Sequence, residues 1–335
     1  MLPAFLGLSG LVLTDAERSL IREANPAGFC LFGRNVEDRA QLRALTDALR
    51  DLSGRPDLPI LIDQEGGRVA RLRPPEWPDF PAAGRFAALY EKAPISAIEA
   101  ARVNALLLAQ TLADAGINVD AAPVLDLLHP GASGIVGDRS YGGDPMQVAA
   151  LGGAMLDGLA AGGVAGVMKH MPGHGRATAD SHFALPVVDA SAEALAADLA
   201  PFRTLAKKAP MAMTAHILFK TWDSRRPATL SPTIIANVIR GEIGFDGLLM
   251  TDDIAMKALS GRLAERANAA LAAGVDIVLH CSGKAADNEM LAGALPPIAD
   301  AAAARLKRAM AMNTTSATGD FAALAAKRDA LLALA

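Results

Sequence analysis

A chain of 335 residues is long enough for two domains or for one large α/β barrel with extensions. Apolar residues make up 52% of it and charged residues 20%, which favours a large buried core and excludes a disordered protein. The net charge of -4 and the aromatic content of 4% give no sign of a surface for nucleic acid or anionic lipid, so we expect neither as a partner.

The two cysteines, Cys30 and Cys281, each lie in an apolar, strand-like run without a partner at metal-ligand spacing. This pattern argues against a disulfide framework or a zinc cluster, and it fits a reducing compartment. Residues 1–13 are apolar but lack the basic segment and the cleavage site of a signal peptide. No run approaches the roughly 18 apolar residues of a membrane span. We therefore expect a soluble, cytoplasmic protein.

Eight short apolar runs recur along the chain, and segments with helical periodicity separate most of them. The runs cover residues 5–10, 28–33, 59–63, 117–124, 163–169, 211–217, 247–251 and 275–281. The helix candidates include residues 96–115, 145–161, 191–207 and 231–241. Candidate N-caps are Ser96, Ser191 and Ser231, the last of which is followed by Pro232 in the favoured first helical position.

Strands that alternate with helices pair in parallel, and apolar runs without polar alternation indicate strands buried on both faces. Eight such units predict an α/β fold of the (β/α)8 TIM-barrel type, as a single domain over residues 1–335. Because the core barrel takes ~250 residues, the surplus is expected in long βα loops, such as residues 66–95, and in C-terminal helices within 297–335. A doubly wound sheet is the alternative, but no Gly-rich dinucleotide fingerprint follows an early strand.

In a TIM barrel the carboxyl ends of the strands build the active site. Here ionisable side chains follow the predicted strands, and all six histidines lie at or beyond the strand ends. The densest group is residues 169–182, which contains three histidines together with Lys169, Arg176 and Asp180. Loops rarely concentrate so many titratable groups without using them. A functional interpretation is favoured for Asp63, Arg71, Arg139, Lys169, His182 and Asp252.

Other polar residues at the strand ends have a structural alternative. Asp120, Asp126 and His280 are more readily explained as partners of strand-end backbone or as helix caps. Asp253 is better explained as the N-cap of the next helix than as a catalyst. For His216, a buried, hydrogen-bonded role and a role in the site are equally supported.

The favoured residues are suited to glycosidic chemistry. Asp252 leaves a buried strand, so its carboxylate is a candidate nucleophile for a glycosidic carbon. Asp180 and His182 are two residues apart, so an extended segment would place them on one side, where the carboxylate fixes the imidazole tautomer. Such a histidine donates and accepts a proton near neutral pH. A polar ligand with vicinal hydroxyls would be bound by Lys169, Arg71, Arg139 and Asp63.

Five motifs resemble glycoside hydrolase family 3, in chain order, from about residue 5 to residue 285. Lys-His-Met-Pro-Gly-His-Gly at 169–175, followed by Asp-Ser-His at 180–182, resembles the signature of bacterial β-N-acetylhexosaminidases of that family. Ile-Asp-Gln-Glu-Gly-Gly-Arg-Val at 62–69 and Met-Thr-Asp-Asp-Ile-Ala-Met at 250–256 are similar to two further motifs. Phe-Gly-Arg-Asn at 32–35 and Ala-Pro-Val-Leu-Asp at 122–126 match others.

The resemblance implies a retaining hydrolase that removes terminal β-linked N-acetylglucosamine through a glycosyl-enzyme. Asp252 would be the nucleophile, and His182 would be the general acid/base, paired with Asp180. This scheme departs from the usual pair of carboxylates in glycosidases. The residues that would bind the sugar are Asp63, Arg71, Arg139, Lys169 and His170.

The family's single-barrel cytoplasmic members cleave N-acetylglucosaminyl-1,6-anhydromuramyl peptides during peptidoglycan recycling. The resemblance thus implies a small carbohydrate or muropeptide substrate, and we expect a monomer without cofactor or metal. Two positions depart conservatively from the pattern. Met171 stands where the family usually has Phe, and Ala255 stands where it often has Ser.

Three alternatives remain. A family 3 β-glucosidase resembles this chain around Asp252 but takes a Glu acid/base from a second domain, for which we find no counterpart. A metal-dependent barrel hydrolase would need histidines at an early strand end, and the first three predicted strands contain none. A non-catalytic sugar-binding barrel would be indicated by loss of Asp252 or His182, and both are present.

Overall fold

The computed structural model describes residues 1–132, 134–311 and 319–335. Within these ranges eight parallel strands close into a barrel, so the predicted (β/α)8 fold is confirmed. Each of the eight predicted runs overlaps one barrel strand. In order around the barrel the strands are β1 (Leu2–Gly7), β2 (Pro26–Leu31), β3 (Ile60–Ile62), β4 (Val119–Asp120), β5 (Ala165–Met171), β7 (Met211–Thr214), β9 (Leu248–Asp253) and β10 (Ile277–His280).

Helices surround the barrel, and β6 (Val187–Val188) pairs with β8 (Leu218–Phe219) in a separate parallel sheet. The helices are α1 (Asp15–Ala24), α2 (Arg39–Ser53), α3 (Ala83–Lys92), α4 (Pro94–Asp114), α5 (Pro145–Ala161), α6 (Ala192–Leu205), a π-helix (Ile234–Glu242), α7 (Leu263–Ala273), α8 (Ala285–Ala294), α9 (Asp300–Ala311) and α10 (Phe321–Leu332). In the described part of the chain, no helix combines the length and the apolar character needed to span a membrane.

The barrel strands are buried on both faces, as their uninterrupted apolar runs indicate. Inward-facing side chains such as Phe5, Leu61, Val167 and Met250 fill the interior, and each is at most 1% exposed. Burial of such a side chain stabilises the fold by roughly 1.5–3 kcal/mol. The barrel is therefore a packed core rather than a pore, and an active site is expected at its carboxyl-terminal face.

Two of the three predicted helix caps are present. Ser191 Oγ accepts a hydrogen bond from the Ala194 amide at 3.2 Å, and Ser231 Oγ accepts one from the Ile234 amide at 3.1 Å. The prediction for Ser96 is wrong, because α4 already begins at Pro94. Proline has no amide hydrogen to lose in the first turn and has a helical φ, so the helix begins there without a side-chain cap.

The prediction of a continuous loop over residues 66–95 is also wrong in part, since α3 forms within it. The prolines that suggested a loop lie mainly before residue 83, and α3 buries Phe86 and Leu89 and packs mainly against α4. In the predicted C-terminal appendage, α9 and α10 confirm the helical interpretation. Residues 312–318 of that appendage lie outside the described residues.

Candidate active site

A cavity of about 360 Å³ opens at the carboxyl-terminal end of the barrel. Seven of the eight predicted site residues line this cavity. They come from five different strand ends or loops, which the fold brings together. The eighth, Asp180, contacts the side chain of His182. The seven that line the cavity are Asp63, Arg71, Arg139, Lys169, His170, His182 and Asp252.

One wall consists of a buried cluster of opposite charges. The Lys169 ammonium lies 3.0 Å from Asp63 Oδ1 and 2.7 Å from Glu65 Oε1. Arg139 donates two parallel hydrogen bonds of 2.8 Å to Glu65, and Arg71 Nη2 donates to Asp63 Oδ2 at 3.0 Å. Paired, multiply hydrogen-bonded charges of this kind hold fixed positions, because separating them leaves a buried charge without a partner.

The charges of this cluster reinforce one another. Burial raises the pKa of Asp63, but the Lys169 and Arg71 cations outweigh it and hold that pKa well below its usual range. The pKa of Glu65 is lowered by the same balance between burial and the Lys169 and Arg139 cations. Burial lowers the pKa of Lys169, yet the two carboxylates raise it above the ordinary value. Asp63, Glu65 and Lys169 are therefore charged at neutral pH.

Asp252 is held rigidly at the end of β9. The amide of Asp253 donates to Asp252 Oδ1 at 2.7 Å. Burial raises the pKa of Asp252, but the His216 and His170 imidazoles, that amide and Lys169 bring it below the ordinary value. Burial raises the pKa of Asp253 above its usual value. Of the two adjacent carboxyls, Asp252 is thus the better anion.

His182 contributes an imidazole ring to the lining of the same cavity. Its Nδ1 lies 2.8 Å from Asp180 Oδ1, and its amide donates to the same oxygen at 2.9 Å. This contact makes Nδ1 the donor to Asp180 and leaves Nε2 to exchange a proton. The His182 side chain is 59% exposed, so a substrate can reach it.

Asp126 fixes the segment that connects β5 to His182. Its carboxylate accepts hydrogen bonds from the His170 amide at 3.2 Å, from His170 Nδ1 at 2.7 Å and from the His174 amide at 2.6 Å. Beyond His174, the Ser181 carbonyl accepts from the Ala258 amide at 3.2 Å. The loop is therefore tied to β5 at one end and to the segment after β9 at the other.

The structural alternatives for the remaining polar residues can now be assessed. Asp120 Oδ1 accepts from the Gln64 amide at 3.0 Å, so Asp120 does satisfy strand-end backbone. Asp253 is not a helix N-cap, because α7 begins only at Leu263; its carboxylate accepts from the Ala255 and Cys281 amides instead.

His216, whose role was left open, and His280, for which a structural role was favoured, are both buried and hydrogen-bonded. His216 bonds to the Thr229 hydroxyl at 2.7 Å and to the Asp253 carbonyl at 3.0 Å. Through its bond to the Asp253 carbonyl, His216 helps to hold the Asp252–Asp253 segment in place. His280 bonds to the Ser282 hydroxyl at 2.8 Å rather than to strand-end backbone.

Sequence reasoning did not select two groups that matter for the site. Glu65 is the carboxylate that joins Lys169 to Arg139. The sequence could have indicated it, because Glu65 lies two residues after the selected Asp63 at the same strand end. Phe32 carries the Arg71 guanidinium over its ring at 5.0 Å, which fixes the direction of that side chain. Nothing in the local sequence around Phe32 predicts its contact with Arg71.

The described residues contain no group of three or more His, Cys, Asp or Glu side chains placed to hold a metal ion. The cationic groups at the wall are instead Lys169, Arg71 and Arg139, whose N–H groups point toward oxygen acceptors. A carboxylate at a rigid strand end, an imidazole on an accessible loop and a polar wall between them are the components of glycosyl transfer to water.

Residues 6–310 match the family described as glycosyl hydrolase family 3 N terminal domain. A β-hexosaminidase of Alkalilimnicola ehrlichii is 42% identical over 284 residues, which are 84% of this chain and 80% of that protein. The chain belongs to glycoside hydrolase family 3. It is therefore a glycosidase.

Solved structures of the family agree with the fold. NagZ from Neisseria gonorrhoeae, in complex with N-trifluoroacetyl-D-glucosamine, superposes with a TM-score of 0.87 at 32% identity and covers 99% of this chain and 97% of its own. A family 3 β-N-acetylglucosaminidase from Paenibacillus superposes with a TM-score of 0.85 at 34% identity over 95% of this chain. This chain spans only 63% of the length of the Paenibacillus protein.

The contacts of Asp126 lead to a prediction about stability and pH. Burial raises the pKa of Asp126, but His170 and His174 lower it by a larger amount, so that the pKa is about 2. An unfolded Asp has a pKa of about 3.9, so the depressed folded value stabilises the protein by about 2–3 kcal/mol above pH 5. This contribution falls away as the pH drops through about 4 and is gone below about 2.

We expect Asp126→Asn to lower the free energy of unfolding at pH 7, with the difference from wild type narrowing below pH 4, as measured by urea unfolding. Asp157→Asn is the matched control, because Asp157 forms an exposed ion pair with Lys208. Its loss should cost less than about 1 kcal/mol. A deficit for Asp126→Asn that stays constant from pH 7 to pH 3 would contradict the assignment.

Proposed function

We propose that this glycosidase is a retaining β-N-acetylhexosaminidase that removes terminal, non-reducing β-linked N-acetylglucosamine. The observation that carries the proposal is the pairing, across one cavity, of an ionised Asp252 with a His182 that is hydrogen-bonded to Asp180. The names of its relatives support the sugar: a β-hexosaminidase, a β-N-acetylglucosaminidase and NagZ with an N-acylated glucosamine bound.

In the first step Asp252 attacks the anomeric carbon while the glycosidic bond breaks. The departing oxygen takes the proton from His182 Nε2, since Nδ1 is held by Asp180. The product is an ester between Asp252 and the sugar. In the second step His182 removes a proton from water, the water oxygen bonds to the same carbon, and Asp252 leaves as a carboxylate.

The exposure of His182 and the burial of Asp252 suit these roles. The nucleophile needs a fixed position and an ionised state, and β9 together with the lowered pKa of Asp252 provides both. The acid/base must meet the leaving group and then water, so an accessible position at the mouth is appropriate. Glu65 belongs to the charged cluster but does not itself line the cavity, and no other Glu of the described residues does, which favours His182 over a two-carboxylate scheme.

The sugar itself would be bound by the charged wall. Asp63 would accept hydrogen bonds from hydroxyls, and the cations would donate to hydroxyl or amide oxygens. The residues assigned to this task are Asp63, Arg71, Arg139, Lys169 and His170.

We further propose that the natural substrate is the N-acetylglucosaminyl-1,6-anhydromuramic acid unit, with or without its peptide, during peptidoglycan recycling in the cytoplasm. The high coverage in both directions with NagZ supports this choice. The proposed enzyme acts as a monomer without a cofactor.

The activity is tested with aryl glycosides. We expect the purified protein to hydrolyse an aryl β-N-acetylglucosaminide with kcat/KM more than about 100-fold above that for the matching β-glucoside. EDTA should leave the rate unchanged. An absence of turnover, or turnover abolished by chelation, would overturn the assignment; mass spectrometry of the released sugar from the anhydromuramyl disaccharide tests the natural substrate.

The nucleophile is tested by comparing adjacent carboxyls. Asp252→Ala should lower kcat on the order of 10⁴-fold or more, as loss of a covalent nucleophile does. Asp253→Ala removes acceptors for two backbone amides and should retain measurable activity. A fluorinated N-acetylglucosaminide should trap an ester that peptide mapping places on Asp252. Inactivity confined to Asp253→Ala would refute the choice.

The acid/base is tested through the leaving group. His182→Ala should lower kcat about 10²–10⁴-fold for an alkyl aglycone, which needs a proton to depart. The loss should be much smaller for an acidic phenol, which departs as an anion. Phe183→Ala is the control on the same loop, since Phe183 is 72% exposed. Equal losses on both substrates for His182→Ala would rule out a proton-donating role.

A further inference from the structure

The two cysteines of the chain meet at the floor of the sugar cavity. Cys30 lies on β2 opposite Gly7 of β1, and on the other side of β1 the pairing of Leu6 with His280 places Cys281 level with the same glycine. Gly7 has no side chain to separate them. Alternate strands of a TIM barrel contribute side chains to the same interior layer, so Cys30 and Cys281 face each other.

Both thiols are unmodified, buried and part of the cavity lining. Cys30 is 2% exposed and Cys281 is 8% exposed, and both belong to the apolar cluster inside the barrel. A hydrogen bond with Cys30, together with burial, raises the pKa of the Cys281 thiol well above its ordinary value. The two sulfurs therefore lie side by side in the lining of the cavity that, in the proposed function, binds the sugar.

We propose that Cys30 and Cys281 form a binding site for trivalent arsenicals, which bridge the two sulfurs and thereby block the sugar cavity. The reaction is a condensation and involves no redox change. An arsenic(III) oxide, RAs=O, forms two As–S bonds. The As=O bond breaks, and the two thiol protons leave with its oxygen as one water molecule.

The surroundings favour this ligand class over a metal ion or a disulfide. Asp253 and Asp63 lie close enough to disfavour negative charge on Cys281, and an arsenic bridge between two sulfurs is neutral. A thiolate-bound metal ion would need charged sulfurs and further ligands, and the described residues offer no cluster of three. A disulfide requires the sulfurs to approach to about 2.05 Å, whereas an arsenic atom bridges a wider gap.

The test uses phenylarsine oxide on the 335-residue chain, with intact-mass spectrometry as a readout that does not depend on the hydrolase assignment. We expect one phenylarsenic adduct per wild-type chain, in a product that has lost one water. Cys30→Ser and Cys281→Ser should each show no stable adduct. Saturating N-acetylglucosamine should slow adduct formation at least tenfold if the sugar occupies the same cavity.

Inhibition of hydrolysis by phenylarsine oxide, and its reversal by thiols, form a second part of the test that needs no variant. Stoichiometric phenylarsine oxide should remove more than nine-tenths of the wild-type hydrolysis of an aryl β-N-acetylglucosaminide. A dithiol such as 2,3-dimercaptopropanol should restore it, while excess monothiol should not. Absence of the wild-type adduct, an adduct retained by either single variant, or full reversal by monothiol would each overturn the proposal.

Discussion

The Lys169 ammonium, buried between Asp63 and Glu65, is the interaction on which the site depends. It joins the end of β5 to the segment after β3, and Arg139 extends the same cluster to the long loop after β4. Buried ion pairs add little net stability, but removing one partner typically costs about 3–5 kcal/mol. The cluster therefore acts mainly as a geometric constraint that preorganises the polar wall before any sugar arrives.

That constraint also affects the nucleophile. Three cations, Lys169, Arg71 and Arg139, face two carboxylates in the cluster, so one positive charge remains. Lys169 is one of the groups that lower the pKa of Asp252, so part of this excess falls on the candidate nucleophile. The wall that would bind sugar hydroxyls thus helps to keep Asp252 ionised, and the cluster and Asp252 together carry no net formal charge. An uncharged sugar then enters without bringing an unpaired charge into a buried site.

The barrel could be predicted because its signal is local: each strand is an apolar run, and burial on both faces removes the polar alternation that would suggest another fold. The site could be located because the fold itself brings strand ends together. The partners within the site could not be deduced in the same way. Glu65 and Arg139 are 74 residues apart, and Asp126 and His170 are 44 apart, so neither pair leaves a spacing in the sequence. The predicted N-cap at Ser96 was wrong for a local reason: Pro94 starts the helix two residues earlier, although Ser96 is a favourable cap residue.

The floor and the wall of the cavity differ in chemistry, and this difference limits how a sugar can lie. Leu61, Met213 and Leu279, from the apolar interior of the barrel, line the floor together with the two thiols, whereas the wall is lined by Asp63, Arg71, Arg139, Lys169 and His170. A pyranose has hydroxyls at its edge and C–H groups on its faces. Its edge would therefore meet the charged wall, and an apolar substituent such as an acetyl methyl would meet the floor, because burying a hydroxyl there would leave it without a hydrogen-bond partner. In the proposed retaining mechanism, a ring held in this way places its anomeric carbon between Asp252 and the exposed His182, the nucleophile and the acid/base that such hydrolysis requires at that carbon.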